Sequence, residues 1–407
     1  MAAQQGGEEA GHARYTYRLR LSSTAHTALL AEWDRCRWIW NECVAKSQAT
    51  HLHNRAHPDE QQTCGPAQLD KMLTQARAVI PWLREGSCVP QQQIIRDFGR
   101  SRTKALKDIV ERLPMTQRAG MPAVKTKRTA RPTLNYTRRG FQVRDGRLHL
   151  AGGIVLTVVW SRPLPADPTS VRVHQDSLGH WYASFVVPAT VVPLPETGAV
   201  LGVDWGVREI ATTTSDPHDL PHPEHSTKAK AKLSRYDRMM ARRTPPKGQA
   251  ASKGYRAAKH LRAKAHKKVA RQREDTGRKW AKKVVADHDA LAVEDFKPTF
   301  LAKTTMAKKA ADAAIGATKQ ALIHLGRKHG RDVRLVHPAY TTMDCGQCGA
   351  RAKHALPLGM RTYTCTACGT VKPRDKNSAR VMLHRAGLLP AGAEGTRPPG
   401  ATPREAA

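Results

Sequence analysis

Ala199-Val-Leu-Gly-Val-Asp204 is an unbroken apolar run closed by a carboxylate. Such a run reads as a strand buried on both faces, and an acid at its end is costly to bury unless it is paired or ligates a cation. Ala290-Leu-Ala-Val-Glu294 repeats the pattern, and Asp375 stands in Pro373-Arg-Asp-Lys-Asn377, ahead of a helix expected over about 377–385. Three hard carboxylates with open coordination positions suit Mg²⁺ or Mn²⁺ and the hydrolysis of phosphodiesters. Acids at strand ends also serve as caps and loop formers, so from these residues alone both readings stand.

Between the second and third acids lie Cys345-Gly-Gln-Cys348 and, sixteen residues on, Cys365-Thr-Ala-Cys368. Two short knuckles with glycines beside the cysteines supply four thiolates, the donor set of a closed tetrahedral Zn²⁺ site. Such a site scaffolds and leaves no position open for catalysis. Iron–sulfur ligation is the competing use. The other four cysteines, Cys36, Cys43, Cys64 and Cys88, are scattered and read as ordinary packing or surface residues.

The whole chain is strongly basic. Its 407 residues carry 68 Lys and Arg against 34 Asp and Glu, a net charge of +34, with aromatics at only 5%. Self-repulsion on that scale calls for a polyanion, and phosphate backbones are the natural partner. No apolar run of membrane-spanning length and no apolar leader exists, so the sequence reads as soluble and cytoplasmic, with no membrane partner. Residues 227–283 concentrate the charge, with 21 Lys and Arg against 3 acids. The break at Thr244-Pro245-Pro246-Lys247-Gly248 predicts two basic helices in a hairpin. Arg235, Arg242, Arg243, Lys267 and Arg271 in this hairpin, Lys125, Lys127 and Arg128 in an earlier basic cluster, and Arg374 beside the third acid are the candidate nucleic-acid contacts. His218, His222 and His225 lack regular spacing and read as members of a solvated loop.

Earlier, Tyr15-Thr-Tyr-Arg-Leu-Arg-Leu21 alternates as a strand and is followed by a helix capped at Thr24, with Leu29, Leu30, Trp33, Cys36, Trp40 and Cys43 inward. Residues 51–69 read as a loop. A second helix over about 89–113 places Ile94, Ile95, Phe98, Ala105, Leu106 and Ile109 on its apolar side. Short strands at 140–143, 147–150, 154–160, 171–174 and 181–187 form a small antiparallel sheet or barrel, which the strand at 15–21 completes. Past the split acids, a helix is expected over 310–329 and a strand over 332–336.

At the acids the sequence resembles the TnpB family of transposon-encoded RNA-guided nucleases and the miniature type V CRISPR effectors. Gly202-Val-Asp-Trp-Gly-Val-Arg-Glu209, Val293-Glu-Asp-Phe296 and Lys372-Pro-Arg-Asp-Lys-Asn-Ser-Ala379 are similar, in order, to the three motifs of a split RuvC nuclease. His337-Pro-Ala-Tyr-Thr-Thr-Met-Asp-Cys345 leads into the cysteines as in that family. The likeness spans about residues 14–385. Trp205 stands where a smaller aliphatic residue is expected, and Pro373 where a further acid is common.

The resemblance implies an α/β multi-domain chain. A β-barrel-like wedge domain (14–23 and 121–195) would carry an inserted helical recognition lobe (24–120). An RNase H-like RuvC domain (196–340 and 371–387) would carry an inserted zinc ribbon (341–370), between a disordered leader (1–13) and tail (388–407). It implies Asp204, Glu294 and Asp375 as catalytic Mg²⁺ ligands and Cys345, Cys348, Cys365 and Cys368 as Zn²⁺ ligands. The implied partners are a guide RNA and target double-stranded DNA, with one or two copies of the chain on one RNA, in the cytoplasm of a prokaryote at its nucleoid. The implied activity is RNA-guided DNA cleavage, the alternative being an RNA-guided DNA-binding repressor.

Overall fold

The computed structural model describes residues 11–115, 117–127, 129–246, 248–357 and 359–388. Arg128, and the leader and tail apart from residues 11–13 and 388, lie outside them. The chain divides into two compact units, 1–190 and 191–407.

In the first unit, β1 (His12–Arg20) leads into α1 (Ser23–Ala56), α2 (Pro66–Val79), α3 (Pro81–Arg84) and α4 (Cys88–Val110). The strands β2 (Thr133–Thr137), β3 (Phe141–Arg144), β4 (Arg147–Leu150), β5 (Ile154–Val159), β6 (Ser170–Gln175) and β7 (Trp181–Pro188) follow. All pair antiparallel in the order β2-β6-β7-β1-β5-β4-β3, so β1 is central and the four helices are an insertion between it and the remaining strands. The edge strands β2 and β3 share no ladder. They are joined by the single 3-10 turn Arg138–Gly140, which keeps the two sheet edges close. The expected antiparallel sheet thus forms with β1 inside it, and its two edge strands meet at that turn without a ladder between them. Three boundaries differ. His12 and Ala13 pair with Pro188 and Val187, so the strand begins inside the expected leader. Ser22, whose hydroxyl accepts from Ala25 N (3.1 Å), caps α1 in place of Thr24. The expected loop over 51–69 is helical at both ends, because α1 runs on to Ala56 and α2 starts at Pro66. Between them Asn54 exchanges two hydrogen bonds with Gln62 (2.8 and 2.9 Å). Leu29, Trp33, Cys36, Ile39 and Trp40 of α1 pack with Ile94, Ile95 and Phe98 of α4 in the core. Leu106 and Ile109, expected on that apolar side, are 37% and 44% exposed.

The second unit carries a mixed sheet, β10-β9-β8-β11-β12. Its strands are β8 (Val200–Trp205), β9 (Glu209–Thr213), β10 (Leu220–Pro221), β11 (Ala290–Glu294) and β12 (Asp332–Val336). β8, β11 and β12 run parallel, whereas β9 and β10 add antiparallel. The basic hairpin forms as expected, from α5 (His225–Ala241) and α6 (Lys253–Asp287), joined across by Arg262 and Asp237 (2.5 Å). The helix expected over 310–329 is two: α7 (Ala307–Ala313) and α8 (Ile315–Lys328), broken at Ala314 with φ 51°. Just before the break, Asp312 accepts from Ser226 N and Arg273 Nε (both 2.9 Å), which ties the end of α7 to α5 and α6. The small hairpin β13 (Thr362–Thr364) and β14 (Val371–Pro373) precedes α9 (Arg374–Ala386), which packs on β8. No helix among the described residues is long and apolar enough to cross a membrane.

Candidate active site and metal centre

β8 and β11 pair in register with Val203 opposite Val293, so their next residues, Asp204 and Glu294, emerge side by side at one end of the sheet. Asp375 reaches the same place from the first turn of α9. That helix comes close because residue 202 is glycine: a Cβ there would collide with Ala379 O, and the helix backbone occupies its space. Burial first, and then the neighbouring charges of Glu294 and Asp375, push the Asp204 carboxyl well above the usual carboxylate range. Arg374 pulls the other way. Glu294, 6% exposed, is pushed up to about 7 by burial. Against that rise work the Trp205 amide, which donates to Glu294 Oε2 (3.2 Å), and the charge of Lys319. Lys319 is itself buried and bound to Asp295 Oδ1 (2.5 Å) and Phe296 O. The Trp205 indole donates to Glu294 O (3.1 Å). Arg361 Nη1 stands 4.0 Å from Asp375 Oδ2. The mutual repulsion of these oxygen donors and the burial of Asp204 and Glu294 are what a cation would relieve, which fits Mg²⁺ or Mn²⁺.

The four thiols are drawn together more tightly. Their sulfurs lie within 4.8 Å of one another, with Cys345–Cys368 and Cys348–Cys365 both at 3.7 Å. Zn–S bonds of about 2.3 Å in a tetrahedron put sulfurs about 3.8 Å apart, so the set fits zinc. The two knuckles repeat one backbone design, with Gly349 and Gly369 at φ 74° donating to Cys345 O and Cys365 O. Cys368 is drawn down to about 6, chiefly by the Thr370 hydroxyl, which favours the thiolate a metal needs. Asn377, the first residue of the helix expected over 377–385, clamps the first knuckle. Its Oδ1 accepts from Gly346 N (2.8 Å) and its Nδ2 donates to Asp344 O (2.7 Å), while Pro373 takes the cap position. Arg380 adds a bond to Gly346 O (2.9 Å).

The candidate nucleic-acid contacts fall into two groups. Arg235, Arg242, Arg243 and Arg271 are exposed on or beside the hairpin, and Lys267 is half-buried on α6. Lys127 is exposed but bridged to Asp34 (3.0 Å). Lys125 differs: its ammonium sits over the Trp40 ring, 2.8 Å from the centroid, and burial lowers it to about 8. Arg374 is also buried, its guanidinium donating to Pro357 O (3.1 Å) beside Asp204. Both are packing neighbours before they are surface cations. His218, His222 and His225 go to three separate partners, Asp287, Lys309 O and Thr276, in keeping with a loop and not a ligand set.

Sequence reasoning passed over Trp205 as a positioner, Arg361, and Lys319. Lys319 had a signal, a lone lysine on the apolar side of a helix that reaches an Asp adjoining Glu294.

Two family models match in succession: OrfB_IS605, described as "Probable transposase", over residues 171–303, and the Cas12f1-like TNB domain over 316–382. A protein of Streptomyces pristinaespiralis, named as a candidate RNA-guided DNA endonuclease, is 29% identical over 86% of this chain and 85% of its own length. InsQ of Escherichia coli K12, named likewise, is 24% identical over 86% of each. The CRISPR-associated DNA-binding protein Cas12m of Allomeiothermus silvanus is 31% identical over 28% of this chain and 23% of its own. Among solved structures, Cas12f1 in a complex with sgRNA and target DNA superposes with a TM-score of 0.54 at 12% identity, over 89% of this chain and 83% of that one, a likeness of fold. The chain is thus similar to TnpB-type proteins and, over a shorter stretch, to the miniature type V effectors, the family its split motifs resemble.

Proposed function

We propose that the protein is an RNA-guided DNA endonuclease that binds a guide RNA, reads a short motif flanking its target and cuts by hydrolysis at Asp204, Glu294 and Asp375. The observation that carries this reading is the convergence of those acids from β8, β11 and α9 on one sheet end, with α9 clamped to a four-thiol module. The strand order, with β8, β11 and β12 parallel and β9 and β10 antiparallel, supports the RNase H-like assignment of the second unit. The central β1 and its helical insertion support a wedge domain with a recognition lobe in the first. The names of the two long relatives point the same way.

Magnesium or manganese at the carboxylates would neutralise developing charge and make bound water acidic enough to attack a phosphodiester at neutral pH. The chain's own residues prepare that site. Trp205 holds Glu294 through its amide and, with the charge of Lys319, favours the ionised form. The charge of Arg374 favours the ionised form of Asp204. Arg361 adds a cation next to Asp375, where a phosphate would meet it. The Asn377 clamp fixes the helix that carries Asp375. The exposed arginines of α5 and α6 offer a charged surface for a nucleic-acid backbone, which pairing with the guide would address to one sequence.

The test is cleavage of a plasmid bearing the target by protein purified with its RNA, in Mg²⁺ and in EDTA. Wild type should cut only with metal. Asp204→Ala should bind the same target in a gel shift and leave it intact; cutting by that variant overturns the assignment. The partial likeness to a DNA-binding Cas12m gives the repressor reading its footing. Binding by wild type without nicking would decide for it.

A further inference from the structure

The first unit holds a cavity of about 650 Å³ beside the β5–β6 connection, lined by Trp160, Ser161, Arg162, Leu164, Asp167 and Val143 among others. Nothing in the cleavage chemistry uses it. Its walls are rigid. Pro163, Pro165 and Pro168 each fix a backbone angle of the loop. The Trp160 indole donates to Gly146 O (2.8 Å), and its ring stacks on Phe185 at 5.6 Å and 19°.

Two charged groups stand in the lining. Arg162 is exposed, makes no ion pair among the described residues, and lays its guanidinium over the rings of Tyr15 (5.1 Å) and Tyr17 (5.4 Å). Asp167 is exposed and likewise unpaired. Directly behind Trp160, at 4.8 Å between ring centroids, Tyr17 is 2% exposed and its hydroxyl has no hydrogen-bond partner. A buried donor left unsatisfied is a standing cost, which an incoming polar atom or water would relieve.

A flat aromatic wall, a flat cation and a carboxylate acceptor on a stiff loop are the parts that recognise an unstacked nucleobase. Aromatic and guanidinium planes stack any base, and a carboxylate accepts from an exocyclic amine. We propose that this cavity receives one unpaired nucleotide of a single strand, its base against Trp160 and Arg162 and an amino edge at Asp167. The proposal rests on the nucleic-acid reading above and not on the cleavage step.

The experiment uses the full chain, stripped of nucleic acid in high salt, with labelled 12-nucleotide single strands of one mixed sequence, as RNA and as DNA, each carrying a 5-iodocytosine, a photoreactive base that keeps the exocyclic amine. Ultraviolet cross-links should map to the peptide around residues 160–168. Arg162→Ala, at an exposed position outside the core, should weaken single-strand binding about tenfold. Trp160→Ala should do the same or more, with its folding checked by circular dichroism. Whichever strand shows the effect supplies the nucleotide. Cross-links elsewhere, together with unchanged affinity in Arg162→Ala and Asp167→Ala, overturn the pocket even where plasmid cleavage persists. Cross-links at 160–168 in a protein that never cuts would keep the pocket and remove the nuclease. A chain that binds neither strand removes both.

Discussion

Trp205 adjoins Asp204 in the chain, yet both of its hydrogen bonds go to Glu294, one from the amide and one from the indole. From sequence the residue stood out only as a departure from its motif; the cross-strand partner is visible once β8 and β11 are in register. Trp205→Phe keeps a ring against Trp280, 5.8 Å away, and leaves Glu294 O short of its indole donor. The expected cost is about 1 kcal/mol in urea unfolding, with cleavage slowed several-fold and target affinity unchanged. Equal stability and equal rate would show that the indole bond orients nothing. Asp204 and Glu294 drew notice because a carboxylate that ends an apolar strand is costly to bury, although the same position also suits a cap or a loop former. The setting of Lys125 was not legible, since a run of basic residues gives no warning that one of them is folded over Trp40.

At the scale of elements, the approach of α9 to β8 is the step that brings the third acid in. Gly202→Ala should push the helix away and cost several kcal/mol, with cleavage lost; Gly99→Ala, in α4 with open space at its Cβ, should stabilise by about 0.5–1 kcal/mol. Thermal melts of the two variants should therefore move in opposite directions. The entry into β8 depends on another group. Asp289 accepts from Thr197 N (2.8 Å), Gly198 N (2.6 Å) and Arg331 Nη1 (2.6 Å), and the Thr197 amide foremost holds its carboxyl below the usual range. A depressed acid stabilises the fold above its unfolded value of about 3.9, and that contribution fades as pH falls through the lower folded value. Asp289→Asn should melt earlier than wild type at pH 7, with the gap closing below about pH 4; a gap independent of pH would assign the loss to packing. Strands β8, β11 and β12 could be read in advance because their apolar runs are short and bounded. β9 could not, because it opens on Glu209 and continues in threonines, and only its pairing with β8 makes it a strand. The end of α1 was missed for a related reason: its last turn is polar, and bonds from Asn54 to Gln62 hold what propensity would not.

Across the molecule, a net charge of +34 leaves the free chain repelling itself, so wild type should leave the cell with RNA attached and release it with a steep dependence on salt. Absorbance ratios of the purified protein and sequencing of its RNA check this directly. The zinc module has a matching global role. Cys348→Ser should lose metal by elemental analysis, lower the melting temperature and abolish cleavage together; a variant that kept all three would contradict the scaffold reading. Composition announced the charge and the cysteine spacing announced the module. That Asn377 couples the module to the helix of Asp375 was not legible, because an asparagine at the start of the helix expected over 377–385 looks like a cap.

The position of α9 bears on when activity can begin. Asp204 waits through 90 residues for Glu294 and through 171 for Asp375, with the thiol module made just before the last of them. A nascent chain can complete its first unit, and then the basic hairpin of α5 and α6, while the sheet of the second unit still lacks its covering helix. The proposed active site is thus completed last in synthesis: a product stopped short of residue 375 carries two of the three acids and, on the proposed function, should hold nucleic acid without cutting it.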